Sequence, residues 1–181
     1  MTLKELEKSA SKCKACSLHA DRKQSVFAKG DPTADIVICG MAPAKDEVEV
    51  GIPFVGRSGK LLDQVLDAAG IDNYYITNLV KCYVPAGTKL EEKCMDMCSL
   101  YYLLEVHNVK PKVLVYLGSD VSTYMDREKR KFKDKRGKVI VDGTYSTITT
   151  YHPSYVVRTG GDKSRHWDII VEDFKKARSL I

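Results

Sequence analysis

Hydrophobic positions along the chain fall into two kinds of cluster. Asp35-Ile36-Val37-Ile38-Cys39, Tyr74 to Val80 and Val113-Leu114-Val115-Tyr116-Leu117 are short, nearly continuous apolar or β-branched runs, the pattern of buried strands. Elsewhere apolar residues recur at helical spacing: Leu3, Leu6 and Ala10; Leu61, Leu62, Val65, Leu66 and Ala69 up to a Gly70 stop; Trp167, Ile170, Val171 and Phe174. Thr88 and Glu91 have capping-box spacing, and Leu90, Cys94, Met97, Cys98, Tyr101 and Leu104 then share one helical face. A short helix is expected after Gly118-Ser119, and Val139-Ile140-Val141, Asp142-Gly143 and Tyr145 to Thr149 read as a hairpin. Strands alternating with helices imply a parallel sheet. The expected fold is α/β, a three-layer sandwich with a central four-stranded parallel sheet flanked by helices, as a single domain over residues 1–181.

The stretch from Gly40 to Leu62 joins the first buried strand to an amphipathic helix and is rich in glycine and proline. Glycine lets backbone approach a ligand closely and proline stiffens the path, so Phe54, held between Pro53 and Val55, is a flat apolar surface suited to a stacked planar ring. In open parallel sheets ligands gather outside the carboxyl ends of the strands, which puts Gly40 and Asn78 on one candidate crevice. His152, followed by Pro153, is expected to leave a strand end as well.

Composition adds constraints. A hydrophobic content of 44% and a charged content of 29% are ordinary for a globular protein, and no apolar run is long enough to span a bilayer. The charged, amphipathic N-terminal segment lacks the apolar core of a signal peptide, so a cytoplasmic, reducing location is expected. There, six cysteines point to metal or redox chemistry more than to disulfides. Cys13-x-x-Cys16 fits a zinc half-site, a redox pair or an iron-sulfur half-site, while Cys94 and Cys98 stand one helical turn apart and periodicity does not choose between them. Cys39, within a strand, reads as a small hydrophobe. The net charge of +5 permits nucleic-acid binding. Its densest source is Arg127 to Lys138, eight cations and two anions around Phe132, which suits either phosphate contacts or a solvated surface arm.

Gly40-x-Ala42-Pro43, then Gly51-x-Pro53-Phe54-Val55-Gly56-x-Ser58-Gly59-x-Leu61-Leu62, resembles the first motif of the family 4 uracil-DNA glycosylases, iron-sulfur members of the uracil-DNA glycosylase superfamily. The resemblance continues at Thr77-Asn78-Leu79-Val80-Lys81-Cys82 and at Tyr151-His152-Pro153-Ser154-Tyr155-Val156-Val157-Arg158, in the family's order, and spans most of the chain. It implies excision of uracil from single- or double-stranded DNA by hydrolysis of its N-glycosidic bond, leaving an abasic site without strand cleavage. It further implies a 4Fe–4S cluster held by Cys13, Cys16, Cys82 and Cys98, with zinc as the alternative metal for four thiolates. A monomer is expected, with a replication or repair protein as a possible partner and no membrane contact.

By the same resemblance, Phe54 stacks on uracil, Asn78 reads its pairing edge and His152 supports the departing anion at O2. Gly40, Met41 and Ala42 line the substrate, Ser154 and Arg158 contact phosphate, and Glu47, ahead of its neighbour Asp46, positions water. One departure stands out: Gly40-Met41-Ala42-Pro43-Ala44 carries methionine where family 4 usually has glutamate, and is closer to the Gly-Leu-Ala-Pro-Ala of family 5. Two other readings follow, a glycosylase of broader base range and a non-catalytic DNA- or protein-binding relative that keeps the fold.

Overall fold

The computed structural model describes residues 1–85, 87–126 and 128–181, with Asp142 described by its backbone alone. Arg127, the first cation of the basic run, lies outside the described residues.

The first helix, α1 (Leu3–Lys12), is closed by a capping box in which Thr2 and Glu5 serve each other's backbone amides. A single helical turn at Ser17–His19 follows, then β1 (Ala28–Gly30), β2 (Ile36–Gly40), α2 (Lys45–Val50), α3 (Arg57–Ala69) and β3 (Tyr75–Asn78). The second half runs α4 (Glu92–Val109), β4 (Val113–Leu117), α5 (Ser119–Met125), α6 (Phe132–Lys135), β5 (Val139–Asp142), β6 (Tyr145–Thr150), α7 (Pro153–Arg158) and α8 (Arg165–Arg178). Among the described residues no helix is long and apolar enough to cross a membrane.

One sheet runs through the molecule in the order β1-β3-β2-β4-β6-β5. Its centre, β3-β2-β4-β6, is the expected set of four parallel strands. The sheet as a whole has six strands and is mixed, a correction to the four-stranded reading: β1 and β5 close its edges antiparallel. An edge strand pairs on one side only and needs little apolar character, so Ala28-Lys29-Gly30 carries no buried-strand signal.

Alternate strand residues face opposite layers. Ile36, Ile38, Val113, Val115 and Ile148 pack against α3 and α8, through Leu62, Leu66, Ile170 and Phe174 among others. Val37, Cys39, Tyr75 and Leu114 pack against Tyr102, Val106 and Val109 of α4. Full burial of each large aliphatic side chain contributes about 1.5–3 kcal/mol, so these two layers hold the strand ends in place. Cys39 is fully buried within the second layer, and burial pushes its thiol well above the usual range.

Helix α4 departs from expectation. It begins at Glu92 without a side-chain cap, leaving Thr88 and Leu90 outside it, and its buried positions are Cys94, Cys98, Ser99, Tyr102, Glu105, Val106 and Val109. Met97 and Leu104, expected on the inner face, are 39% and 40% exposed. The reason is that α4 serves two neighbours: its second half covers the sheet while its first half meets α1 and the cysteine-bearing segments.

Candidate active site and cysteine pocket

Strand register brings the first two site residues together. Gly40 ends β2 directly beside Asn78 at the end of β3, and the pairing continues as Leu79 N–H donates to the Gly40 carbonyl (2.9 Å) and Val80 N–H to that of Met41 (2.8 Å). The approach is so close that a Cβ on Gly40 would stand 2.4 Å from Asn78 Oδ1 and 2.9 Å from Phe54 Cζ. Only glycine fits there.

Phe54 adopts a positive φ of 54°, a conformation that costs a bulky residue energy and persists only when its surroundings enforce it. Three of them do. Lys29 Nζ donates to the Phe54 carbonyl (3.0 Å), Gly59 leaves room for that carbonyl 2.0 Å from where a Cβ would sit, and the Phe54 amide is bound by the Glu47 carboxylate. Glu47, 4% exposed, also accepts from Ala44 N–H at 3.0 Å, and burial raises its pKa. Its carboxylate therefore ties both ends of the loop, while Asp46 beside it is exposed.

The Phe54 ring lies 6.0 Å from that of His152, tilted by 31°. His152 is the N-cap of α7: Ser154 N–H donates to its Nδ1 at 3.1 Å, and Ser154 Oγ stands 2.8 Å from the same atom. A ring nitrogen that accepts from a backbone amide carries no proton, which leaves the imidazole proton on Nε2. Burial and then the Arg158 guanidinium hold the His152 pKa down at about 4, against a small opposing pull from Asp120, so the ring is neutral at physiological pH. Arg158 Nη1 reaches Ser154 Oγ at 3.4 Å, completing a chain from cation to hydroxyl to imidazole.

Asn78 is 1% exposed, and its Nδ2 finds no acceptor among the described residues. A buried amide donor left unmatched costs on the order of 1–3 kcal/mol, which marks it as awaiting a partner. His152 joins this inner group to an open cleft whose walls include Met41, Ser154 and Arg158. Ala42, half-buried, follows Met41 on the same loop.

The same cleft has walls to which the sequence motifs gave no role: Asp120, Tyr151, Tyr155 and Phe132, the one aromatic of the basic run. A lone phenylalanine inside a run of cations was the available signal for Phe132. The basic run itself divides. Arg130 pairs with Asp126, Lys135 is buried and donates to the Ser122 carbonyl (2.7 Å), and Arg136 pairs with Asp173 (3.1 Å). Lys129, Lys131, Lys133 and Lys138 remain exposed.

On the other side of β3, Cys13, Cys16, Cys82 and Cys98 line one narrow pocket, together with Arg22 and Tyr101. The described cysteines are free thiols, and no three His, Cys, Asp or Glu side chains among the described residues are gathered as a group for a single metal ion. The donor set nonetheless suits a metal-sulfur group. Four cysteines line one space, Lys81 N–H donates to Cys98 Sγ at 3.2 Å and Arg22 Nη1 to Cys82 Sγ at 3.5 Å, interactions that favour thiolate sulfur. Cys94 is buried outside that lining, its Sγ 3.5 Å from Ser17 Oγ.

Comparison with known proteins places this arrangement. Residues 27–175 match the family model of the uracil DNA glycosylase superfamily. The chain belongs to that superfamily. It is 36% identical over 174 residues to a Type-4 uracil-DNA glycosylase of Thermotoga maritima, covering 94% of this chain and 90% of that protein. Type-4 uracil-DNA glycosylases of Sulfurisphaera tokodaii and Pyrobaculum aerophilum are 33% and 32% identical, across 99% and 87% of this chain and 84% and 86% of theirs. The match to the superfamily starts at Phe27, so the region it covers holds the Gly40, Asn78 and His152 strand ends but not Cys13 and Cys16.

Proposed function

We propose that this protein is a uracil-DNA glycosylase that takes uracil out of the DNA stack and hydrolyses its N-glycosidic bond, leaving an abasic site. The observation that carries the reading is the unmatched, buried Asn78 amide beside Phe54, next to a neutral His152. Uracil presents an acceptor at O4 and a donor at N3, the complement of one amide group, whereas cytosine presents the reverse. Phe54, fixed by its strained backbone, offers the stacking face. The Nε2–H of neutral His152 donates to O2 as negative charge grows there, a preorganised dipole in a site of low polarity.

Ser154 acts here through His152, holding its tautomer, and Arg158 supports Ser154 and meets phosphate from the cleft wall. Glu47 keeps the Phe54 loop closed through the two backbone amides and is the carboxylate assigned to positioning water, with Met41 supplying an apolar wall. Since no step needs an amine nucleophile, the chemistry is monofunctional.

Cys13, Cys16, Cys82 and Cys98 are assigned to a 4Fe–4S cluster, which ties the N-terminal segment to β3 and α4 and supplies no step of the hydrolysis. Holding the cluster is a matter of these four thiols, with the Lys81 amide and Arg22 as the second layer of donors.

The test is an oligonucleotide with a single uracil, incubated with iron-loaded protein or its His152→Ala variant and then treated with alkali. Wild type should convert the strand to an alkali-labile product and leave it intact without alkali; the variant should be slower by about 10²–10³-fold. Folded, iron-loaded wild type that releases no uracil refutes the proposal. Release of other deaminated bases at similar rates would favour the broader-range reading that Met41 suggests.

A further inference from the structure

The cleft that opens from His152 is larger than the proposed reaction needs. It is an open cleft of about 560 Å³, more than one pyrimidine ring fills, while Phe54 and Asn78, which would hold that ring, are 3% and 1% exposed. Three aromatic side chains wall its outer part. Tyr151 and Tyr155 stack at 5.3 Å with 24° between their planes, and Phe132 meets Tyr151 at 5.6 Å, tilted by 51°.

These rings are pinned from behind. The buried His166 meets Tyr151 and Tyr155 edge-on at 4.9 and 4.8 Å and is itself bound to Ser164 and Thr159, while the Arg136 guanidinium lies 5.4 Å over Tyr151. A stack of this kind that only filled the core would be covered. Here Tyr155 is 37% exposed and all three rings face the cleft.

We infer that Phe132, Tyr151 and Tyr155 form a stacking shelf for the nucleobase next to the extruded uracil. The inference rests on the proposed glycosylase reading. A preorganised aromatic face, here the near-parallel Tyr151–Tyr155 pair with Phe132 inclined beside it, takes any base by its π-face, and it needs cations alongside for the connecting phosphate. Exposed Lys131 and Lys133 bracket Phe132 at the foot of the shelf, and Arg158 lies on the same cleft wall. The basic run thus does two things: its paired members anchor the fold, and two of its exposed members, Lys131 and Lys133, flank the one aromatic residue it contains. Stacking of this type makes little distinction among bases, so the shelf strengthens binding without selecting sequence.

The experiment is a double-mutant cycle on single-stranded oligonucleotides containing one uracil, with the 5′ or 3′ neighbour either a normal nucleotide or a base-free tetrahydrofuran residue. Wild type should lose about tenfold in kcat/KM when the base on one side is missing. Tyr155→Leu, which keeps bulk but removes the ring, should lose a similar factor on the normal strand and nothing further on the base-free one, whereas Tyr155→Phe should stay within about twofold of wild type. Equal losses by Tyr155→Leu on both strands, or a wild type indifferent to both neighbours, overturn the shelf. In parallel, 2-aminopurine beside the uracil should be quenched on binding by wild type and not by Tyr155→Leu. If wild type releases uracil from none of these strands the glycosylase reading fails, and the quenching alone then decides the shelf: its absence in wild type refutes it.

Discussion

The Gly40–Phe54–Asn78 site and the cysteine pocket flank one five-residue segment, Asn78 to Cys82, yet they are built in opposite ways. The first is made by strand ends in register and by contacts so close that a Cβ would not fit, so its geometry is imposed by the sheet. The second gathers four thiols from segments that share no strand: the end of α1, the turn after it, the exit of β3 and the first half of α4. Between Cys16 and Phe27 the chain has only one short helical turn and is tethered mainly by side chains, Arg22 donating to the Ala10 and Ser11 carbonyls at 3.3 and 2.9 Å and Gln24 to the Val48 carbonyl. The site proposed to read a base is thus preorganised by backbone, whereas the one proposed to hold a cofactor would leave part of its order to the group it binds.

Lys81 joins the two regions, and its loss should have the largest effect. Its buried Nζ pairs with the Glu105 carboxylate (2.7 Å) and donates to Thr77 Oγ1 (2.6 Å) and to the Asn78 carbonyl (2.8 Å), while its own amide reaches Cys98 Sγ. Removing one member of such a pair leaves a buried charge uncompensated, so Lys81→Met should cost about 3–5 kcal/mol in thermal or denaturant unfolding. A second change, Glu105→Met, should return most of that loss. Unaltered stability in the single variant would mean that the two regions stand independently.

A change confined to the base-reading side should be milder. In Gly40→Ala the new Cβ must displace the Asn78 amide or the Phe54 ring, an overpacking cost of about 1–3 kcal/mol that falls on the reading geometry. Uracil release should drop by about tenfold or more with iron content unchanged. Parallel loss of iron would show that the sheet-built side also supports the cysteine pocket.

The smallest effect is a matter of pH. The folded His152 pKa is held near 4, below the ordinary 6.5, so its contribution to stability is complete above 6.5 and is lost as pH falls toward 4. With the neutral imidazole as the proposed donor, release of uracil should stay nearly level from pH 7 to about 5 and fall with a midpoint near 4. A midpoint at 6.5 that disappears in His152→Gln would show instead that the ring is solvated and loosely held.

Much of the fold was open to periodicity. The four parallel strands, α1, α3, α8 and the Asp142-Gly143 hairpin all fall where the apolar pattern or turn residues put them. The pattern failed on α4, whose apolar residues point to several neighbours and so give no single inner face. It also failed on the basic run, because a string of lysines and arginines carries no mark of which members will find Asp126 or Asp173. Site residues at strand ends were legible because the neighbouring turn chemistry is local. Glu47 was legible as a carboxylate on the loop, but its bonds to the Ala44 and Phe54 amides depend on how the loop closes.

By itself the sequence determined the alternation of strand and helix, the glycine that admits Asn78, the ring on a stiff loop and the supply of thiols. Each of these follows from local spacing or from the shape of a single residue. The tertiary structure alone decided that Nδ1 of His152 is an acceptor, that Lys81 is buried and that Phe132 reaches Tyr151. Those outcomes depend on partners far away in the chain and on the exclusion of water around them, and neither is written in the order of residues at any one place.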